Sequence, residues 1–259
     1  MHDAQAAVRG GRGPLALPAA LAQFLLDWFY PRHCYHCGEP LHETAAHVLC
    51  RTCLDEFSAG RITGPVCARC GLPLSGAPAP GTLCLMCRAE ERHFDAARAF
   101  SVYAGPVASI ILAFKFRGDH FLGPRLVRRL LDGGPPPEIG GADVIVPVPL
   151  HPRRRRERGY DQALLLARAM VGRLDGKLLT GALVRTRYTS QQALLPVQKR
   201  WDNVRGAFAV RKPGRVSGRR VLLVDDVMTT GRTADECAKV LKKAGASHVQ
   251  VLVLARPAP

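Results

Sequence analysis

From residue 96 onward the chain alternates short apolar runs with longer stretches whose apolar positions recur every three or four residues. Ala99–Tyr103 reads as a short strand. Pro106 opens a helix with Val107, Ile110, Ile111 and Phe114 on one face, ending near Lys115-Phe-Arg-Gly-Asp119. A second helix runs to about Asp132 and stops in Gly133-Gly-Pro-Pro-Pro137. Asp143–Pro149 reads as a buried strand and Asp161–Arg173 as a helix. Leu183–Arg187 and Gly206–Val210 are strands bracketing a polar loop. Arg220–Val224 is a strongly apolar strand, Thr233–Ala244 a helix with Gly245 as its stop, and His248–Leu254 a last strand. This alternation predicts an α/β domain over 96–259, a mostly parallel sheet flanked by helices.

The first third of the chain has another character. Leu15 to Phe29 is apolar and follows Arg9 and Arg12, the layout of a signal peptide. Asp27 and Trp28 interrupt its end, however, and no small-x-small cleavage site precedes Cys34. Leu17, Leu21, Phe24, Leu25 and Trp28 fall on one helical face, so residues 1–33 are expected to be a floppy start and a short amphipathic helix docked on the rest. No stretch reaches the ~18–20 apolar residues of a membrane span, and with no export signal the expected location is cytoplasmic.

Residues 34–95 hold eight of the nine cysteines and little apolar periodicity. They form four C-x2-C knuckles: Cys34/Cys37, Cys50/Cys53, Cys67/Cys70 and Cys84/Cys87. Two thiolates at this spacing curl round one tetrahedral ion, and a second knuckle completes its four ligands. A segment this short buries too little apolar surface to fold alone, which makes two structural Zn2+ ions the expected source of its stability. A disulfide framework needs an oxidising compartment, and a redox C-x2-C would not need four copies. Sequential pairing of the knuckles is simplest, with a cross-braced arrangement left open. His33, His36, His42 and His47 read as neighbours rather than ligands, and Cys237 as a small buried apolar residue.

The most informative segment is Val221-Leu-Leu-Val-Asp-Asp-Val-Met-Thr-Thr-Gly-Arg-Thr233. Four apolar residues bury a strand, two carboxylates sit at its C-terminal edge, and a Thr/Gly loop enters a helix. Backbone N–H groups and hydroxyls at Thr229, Thr230, Gly231, Arg232 and Thr233 are placed to wrap a phosphate on the helix N-terminus. Asp225 and Asp226 suit ribose hydroxyls or Mg2+. The segment resembles the phosphoribosyl-pyrophosphate loop of the type I phosphoribosyltransferases. No G-x-x-x-x-G-K-[ST] is present, and no G-x-G-x-x-G follows a strand.

The resemblance extends to the ComF family. The cysteine knuckles, Lys115-Phe-Arg-Gly-Asp119, Val146-Pro-Val-Pro149, Arg158-Gly-Tyr-Asp-Gln162, Gln192, Arg200, Asn203, Gly206-Ala-Phe208 and the Thr/Gly loop follow its order from about Trp28 to Arg256. It implies a zinc-ribbon module ahead of a type I phosphoribosyltransferase-like domain, with a link to DNA uptake in natural transformation and to protein partners of that machinery.

A phosphoribosyl transfer also needs a pyrophosphate-binding turn and a loop that excludes water. Pro147 and Val148, in Val146-Pro-Val-Pro149, stand where the superfamily places that turn, yet two prolines remove N–H donors. His151, Arg153, Arg154, Arg155, Arg156 and Arg158 are candidates to clamp pyrophosphate or a nucleic-acid backbone, against the plainer reading of a solvated charged turn. Lys115 and Arg117 are further candidates, or only cap their helix. Residues 186–203 occupy the flexible-loop position, where Arg185, Arg187, Lys199 and Arg200 are within reach of a pyrophosphate; Arg185 joins Asp225 and Asp226 as a candidate catalytic group. Tyr188 and Trp201 among these cations suit stacking of single-stranded bases, or anchoring of the loop.

Charge sharpens the choice. Residues 1–95 hold 8 Lys/Arg against 9 Asp/Glu, and residues 96–259 hold 29 against 12, so the whole positive surplus lies in the second part. Two readings follow: a protein that binds phosphoribosyl pyrophosphate and Mg2+ and handles single-stranded DNA, or an active Mg2+-dependent transferase of undetermined acceptor.

Overall fold

The computed structural model describes residues 32–41, 48–188 and 204–258. The expected N-terminal helix, His42 and His47, and Gln192, Lys199, Arg200, Trp201 and Asn203 lie outside the described residues. Two short helices belong to the cysteine-rich part, α1 (Arg51–Ala59) and α2 (Leu85–Ala89). Then follow β1 (Ala96–Val102), α3 (Gly105–Phe116), α4 (Leu122–Leu131), β2 (Val144–Pro147), α5 (Pro152–Arg158), α6 (Gln162–Met170), β3 (Lys177–Leu178), β4 (Leu183–Arg185), β5 (Phe208–Val210), β6 (Arg220–Val227), α7 (Arg232–Lys243) and β7 (His248–Arg256).

Five strands form one parallel sheet in the order β1-β7-β6-β2-β3. The expected strands at 183–187 and 206–210 pair with each other instead, as an antiparallel β4–β5 hairpin outside that sheet. Strand alternation divides β6 between two cores. Leu222 and Val224 pack with Ile111 and Phe114 of α3, Val127 of α4 and Leu166 of α6. Val221 and Leu223 pack with Cys237 and Leu241 of α7 and with Phe208 of the hairpin. Cys237 is fully buried there, as its helix position suggested.

The cysteine-rich part is built into both cores. Cys34, Cys53 and Phe57 join the α3/α4 side, whereas Cys67, Cys70, Cys84 and Cys87 join the α7 side. The second ribbon and the linker before it also close the open edge of β1. Gly60 O accepts from Val102 N–H at 2.9 Å, Ile62 N–H donates to Phe100 O at 3.0 Å, and Arg69 O accepts from Ala97 N–H at 2.8 Å. Edge groups that would otherwise seek another chain are thereby paired.

Two glycines in equivalent knuckle turns measure this docking. Gly38 and Gly71 both adopt left-handed backbone, φ +79° and +68°. A Cβ on Gly38 would meet nothing within 4 Å, while one on Gly71 would sit 2.4 Å from Ala97 O of β1. Gly38→Ala is expected to cost about 1 kcal/mol of left-handed strain, and Gly71→Ala at least about twice that, by chemical denaturation. Equal losses would mean that the second ribbon is not seated on β1.

Candidate functional site

The strands end together at one edge of the sheet, and a cleft of about 370 Å3 opens there. It is lined by Lys115, Val148, Arg154, Arg158, Arg185, Asp225, Asp226, Thr229 and Thr233, with Gln162 among the others. Six elements and the loops after β2 and β6 contribute, which is the arrangement expected beyond the carboxyl ends of a parallel sheet.

The acid pair takes opposite environments because consecutive strand residues face opposite ways. Asp226 turns to the α3 side, where Lys115 Nζ lies 2.8 Å from its Oδ1. That oxygen also accepts Val227 N–H at 2.6 Å. Asp225 turns towards the α7 side; its Oδ1 accepts Asp226 N–H at 2.9 Å. Burial, and then the neighbouring Asp226 charge, push the Asp225 carboxyl up to about 7.

The loop after β6 has the features of an anion cradle. Gly231 is the N-cap of α7 with φ +76°, and no side chain caps the helix. A Cβ at Gly231 would meet Met228 Sδ at 3.5 Å and Phe94 Cε1 at 3.8 Å, ordinary contacts, so the positive φ is what requires glycine here. Thr230 Oγ1 is buried with no hydrogen-bond partner, an orphan hydroxyl that an anion would satisfy. Arg232, expected among the ligand contacts, instead faces Glu90 of the cysteine-rich part, with Nη2–Oε1 2.6 Å and Nη1–Oε2 2.5 Å.

At the end of β2 the prolines have the consequence foreseen for them. Pro147 and Pro149 carry no N–H, Val148 N–H donates to Val224 O at 2.9 Å, and Leu150 N–H points to Asp161 Oδ2 at 3.5 Å. No backbone donor from 147 to 150 is left for a pyrophosphate. The arginine run is neither a turn nor a single clamp. Pro152 starts α5, and His151 caps it by accepting Arg153 N–H at 3.3 Å. Helical spacing then brings Arg154 and Arg158 together into the cleft. Arg153, Arg155 and Arg156 are exposed, with Arg153 Nε 3.0 Å from Glu157 Oε1. Arg117 leaves the site altogether: it follows the last turn of α3 and lines a pocket with Tyr35 and Asp119 by the first ribbon. Arg185 does reach the cleft, its guanidinium 5.3 Å from the Phe208 ring centre.

Around the mouth, exposed aromatics meet the same helix. Arg153 and Arg154 lie over the Tyr188 ring at 4.8 and 5.7 Å, and His151 meets its edge at 5.2 Å. Arg158 lies 5.2 Å over Phe116, which is 58% exposed. Of this set, Phe116 is not singled out by the sequence, because it stands two residues past Phe114, off the buried face of α3.

The eight thiols form two groups, Cys34/Cys37/Cys50/Cys53 and Cys67/Cys70/Cys84/Cys87, each with its sulfurs within 4.8 Å of one another. The pairing is therefore sequential, not cross-braced. Thiolates ~2.3 Å from one tetrahedral Zn2+ stand ~3.8 Å apart. Cys37 and Cys50 Sγ are 3.6 Å apart, and Cys70 and Cys84 Sγ 3.7 Å. Against burial, which raises it, backbone N–H donors from Cys37, Cys50 and His36 draw Cys34 down to about 6, whereas burial raises Cys53 of the same group. His33 and His36 join neither group; His36 Nδ1 lies 2.9 Å from Ser109 Oγ. The second group has charged company: Arg98 Nη1 donates to Ala68 O at 3.1 Å, Arg256 Nη1 donates to Cys70 O, and both arginines are 4% exposed. A Zn2+ with four thiolates carries about −2, which these two guanidinium groups offset in part, since Arg98 also pairs with Glu138. No helix among the described residues is long and apolar enough to cross a membrane.

Two outcomes are expected. Elemental analysis should return about two zinc ions per chain, and their absence with all eight thiols oxidised would overturn the metal assignment. The second concerns Asp225. Its folded carboxyl holds a proton more tightly than the unfolded one, whose pKa is ~3.9, so stability is lost as pH rises through about 7. In magnesium-free buffer, Asp225→Asn should gain on the order of 1 kcal/mol over wild type at pH 8 and much less at pH 5, by urea denaturation. A gain independent of pH would refute the raised pKa.

Residues 25–88 match the double zinc ribbon domain and residues 161–258 the phosphoribosyl transferase domain. The chain is 32% identical over 233 residues to Competence protein F of Haemophilus influenzae, covering 88% of this chain and 98% of that one. It is 32% identical over 231 residues to the DNA utilization protein YhgH of Escherichia coli O6:H1, covering 87% and 97%. Competence protein ComFC of Bacillus subtilis is 26% identical over 215 residues, covering 80% and 84%. A double zinc ribbon joined to a phosphoribosyltransferase-like sheet, with such relatives along nearly their whole length, makes this chain a member of the ComF family.

Proposed function

We propose that the protein binds phosphoribosyl pyrophosphate with Mg2+ in the cleft and handles single-stranded DNA at the cleft mouth, in the cytoplasm, during DNA uptake. One observation carries the ligand part. An acid pair, Thr229 and Thr233, and Lys115, Arg154, Arg158 and Arg185 line one cleft, next to an uncapped helix N-terminus and the orphan hydroxyl of Thr230. The 5′-phosphate falls to Thr229, Thr230, Gly231 and Thr233 and the first-turn N–H groups of α7. Asp225 and Asp226 take the ribose hydroxyls and the Mg2+ side; when bound, the ion neutralises pyrophosphate charge. With backbone donors at 147–150 missing or spent, pyrophosphate falls to Arg154, Arg158 and Arg185.

DNA handling rests on the basic surplus and on the arginine-flanked rings of Tyr188 and Phe116, which suit stacked bases beside a phosphate backbone. The competence and DNA-utilization names of the relatives point the same way and make proteins of the uptake machinery the expected partners. A second reading, a Mg2+-dependent phosphoribosyltransferase, is favoured by the intact acid pair with Asp225 poised near neutrality; Asp225, Asp226 and Arg185 are then its catalytic candidates.

The division of α5 separates the two activities. Arg153→Ala/Arg155→Ala/Arg156→Ala should flatten the salt dependence of single-stranded DNA binding, by ~0.7 in log–log slope per lost phosphate contact, and leave phosphoribosyl pyrophosphate binding intact. Arg158→Ala or Gly231→Val should abolish calorimetric binding of phosphoribosyl pyrophosphate and Mg2+. Wild-type protein that ignores single-stranded DNA at low salt would leave the transferase reading alone.

A further inference from the structure

The segment that leaves the second ribbon runs directly onto the first turn of α7. Three residues after the ligand Cys87, Glu90 meets Arg232, the residue that follows Gly231, through the two contacts at 2.6 and 2.5 Å. His93 N–H donates to Asp235 Oδ1 at 2.6 Å, and His93 Nδ1 lies 3.1 Å from Asp235 Oδ2. Asp235 is 2% exposed, so this is a fixed attachment rather than a surface encounter. Phe94, fully buried, stands 3.8 Å from where a Gly231 Cβ would be. The next carboxylate of the same turn, Glu236, accepts Gly206 N–H at 2.8 Å and so ties down the chain that returns from residues 189–203.

Among the described residues the first ribbon has no such link to α7. Its buried cysteines pack on the α3/α4 side, and its glycine turn stands clear of neighbours. The two cysteine groups of one module are thus mounted differently, and among the described residues only the second touches the anion cradle.

We infer that the second zinc centre is a positioning device for the phosphate cradle, acting through Glu90 and His93 on Arg232 and Asp235, and that the first centre is not. Held by zinc at Cys84 and Cys87, residues 90–94 fix the direction of the first-turn N–H groups of α7. Glu90 keeps the Arg232 side chain outside the cleft, so the helix N-terminus presents backbone donors rather than a loose cation. The inference rests on the proposed phosphate ligand for its binding readout, but not for its structural one.

The test uses the full zinc-loaded chain. Glu90→Gln, which also takes the counter-ion from the buried Arg92 3.8 Å away, should keep two zinc ions and a folded chain with a lowered melting temperature, and weaken phosphoribosyl pyrophosphate binding about tenfold. Glu90→Asp, which retains the carboxylate, should recover most of that loss. Hydrogen exchange without ligand should quicken at residues 232–235 in Glu90→Gln. Removing the second zinc in Cys87→Ser should reproduce that faster exchange, and removing the first in Cys37→Ser should not. Wild-type protein that binds no phosphoribosyl pyrophosphate would refute the proposed ligand while the exchange comparison still stands. Unchanged exchange at 232–235 in both Glu90→Gln and Cys87→Ser would overturn the inference.

Discussion

The open edge of β1 is the constraint around which this molecule is assembled. A parallel sheet leaves its outer strand with unpaired N–H and C=O groups, and here the segment from Gly60 to Arg69 supplies the missing partners. That segment has no hydrophobic core of its own. It holds its shape because four thiols at each end can close on one ion, a stabilisation of about 10–16 kcal/mol in small zinc-dependent folds. The metal sites therefore act at a distance from themselves: they shape the backbone that finishes the sheet. The close approach of Gly71 to Ala97 O, and the burial of Arg98 and Arg256 beside the second cysteine group, are consequences of that seating.

The central strand then decides what the opposite end of the sheet can bind. Strand β6 is apolar for four residues and turns acidic only at its end, so two carboxylates stand at the rim of the buried sheet. Alternation sends them to different faces, and each face gives a different neighbour. Asp226 meets Lys115 because α3 ends beside β6, whereas Asp225 is left among buried groups and keeps its proton to about pH 7. A single strand thus offers a neutralised carboxylate and a strained one side by side. Such a pair destabilises the folded state above neutral pH, a cost a protein retains where the site has work to do.

Much of this was legible in the chain. The knuckle spacing gives the two metal groups, because C-x2-C fixes two sulfurs locally and the short gaps bring the next pair within reach. The Asp-Asp and Thr-Thr-Gly string gives the cradle, since strand, turn and helix follow from adjacent residues. What escaped depends on long-range contact. Arg153 to Arg156 reads as one clamp or one solvated turn until His151 and Pro152 are seen to start a helix, which sends Arg154 into the cleft and leaves the other three outside. Arg117 lies two residues from Lys115, yet the end of α3 turns it towards the first ribbon. Arg232 belongs to the ligand loop by position and to Glu90 by contact, 142 residues away in sequence. Strands β4 and β5 were visible as strands, but nothing local says that they pair with each other rather than join the sheet.

The prolines at the end of β2 bear on how the two proposed roles fit together. Backbone donors recognise an anion through fixed geometry and admit little else; arginine side chains recognise phosphate by charge and planar pairing and tolerate more than one phosphate arrangement. Where Pro147 and Pro149 lack N–H groups and Val148 spends its own on Val224, the proposed grip on pyrophosphate falls to α5. That helix is seven residues long and turns Arg154 and Arg158 into the cleft while Arg153, Arg155 and Arg156 stay outside. Arg154 touches both sets, lining the cleft and lying over Tyr188. On the proposed function, any shift of α5 that improves the grip on pyrophosphate also moves the arginines that lie over the rings at the mouth. A ligand held by backbone amides would leave the mouth indifferent to occupancy; one held by α5 does not.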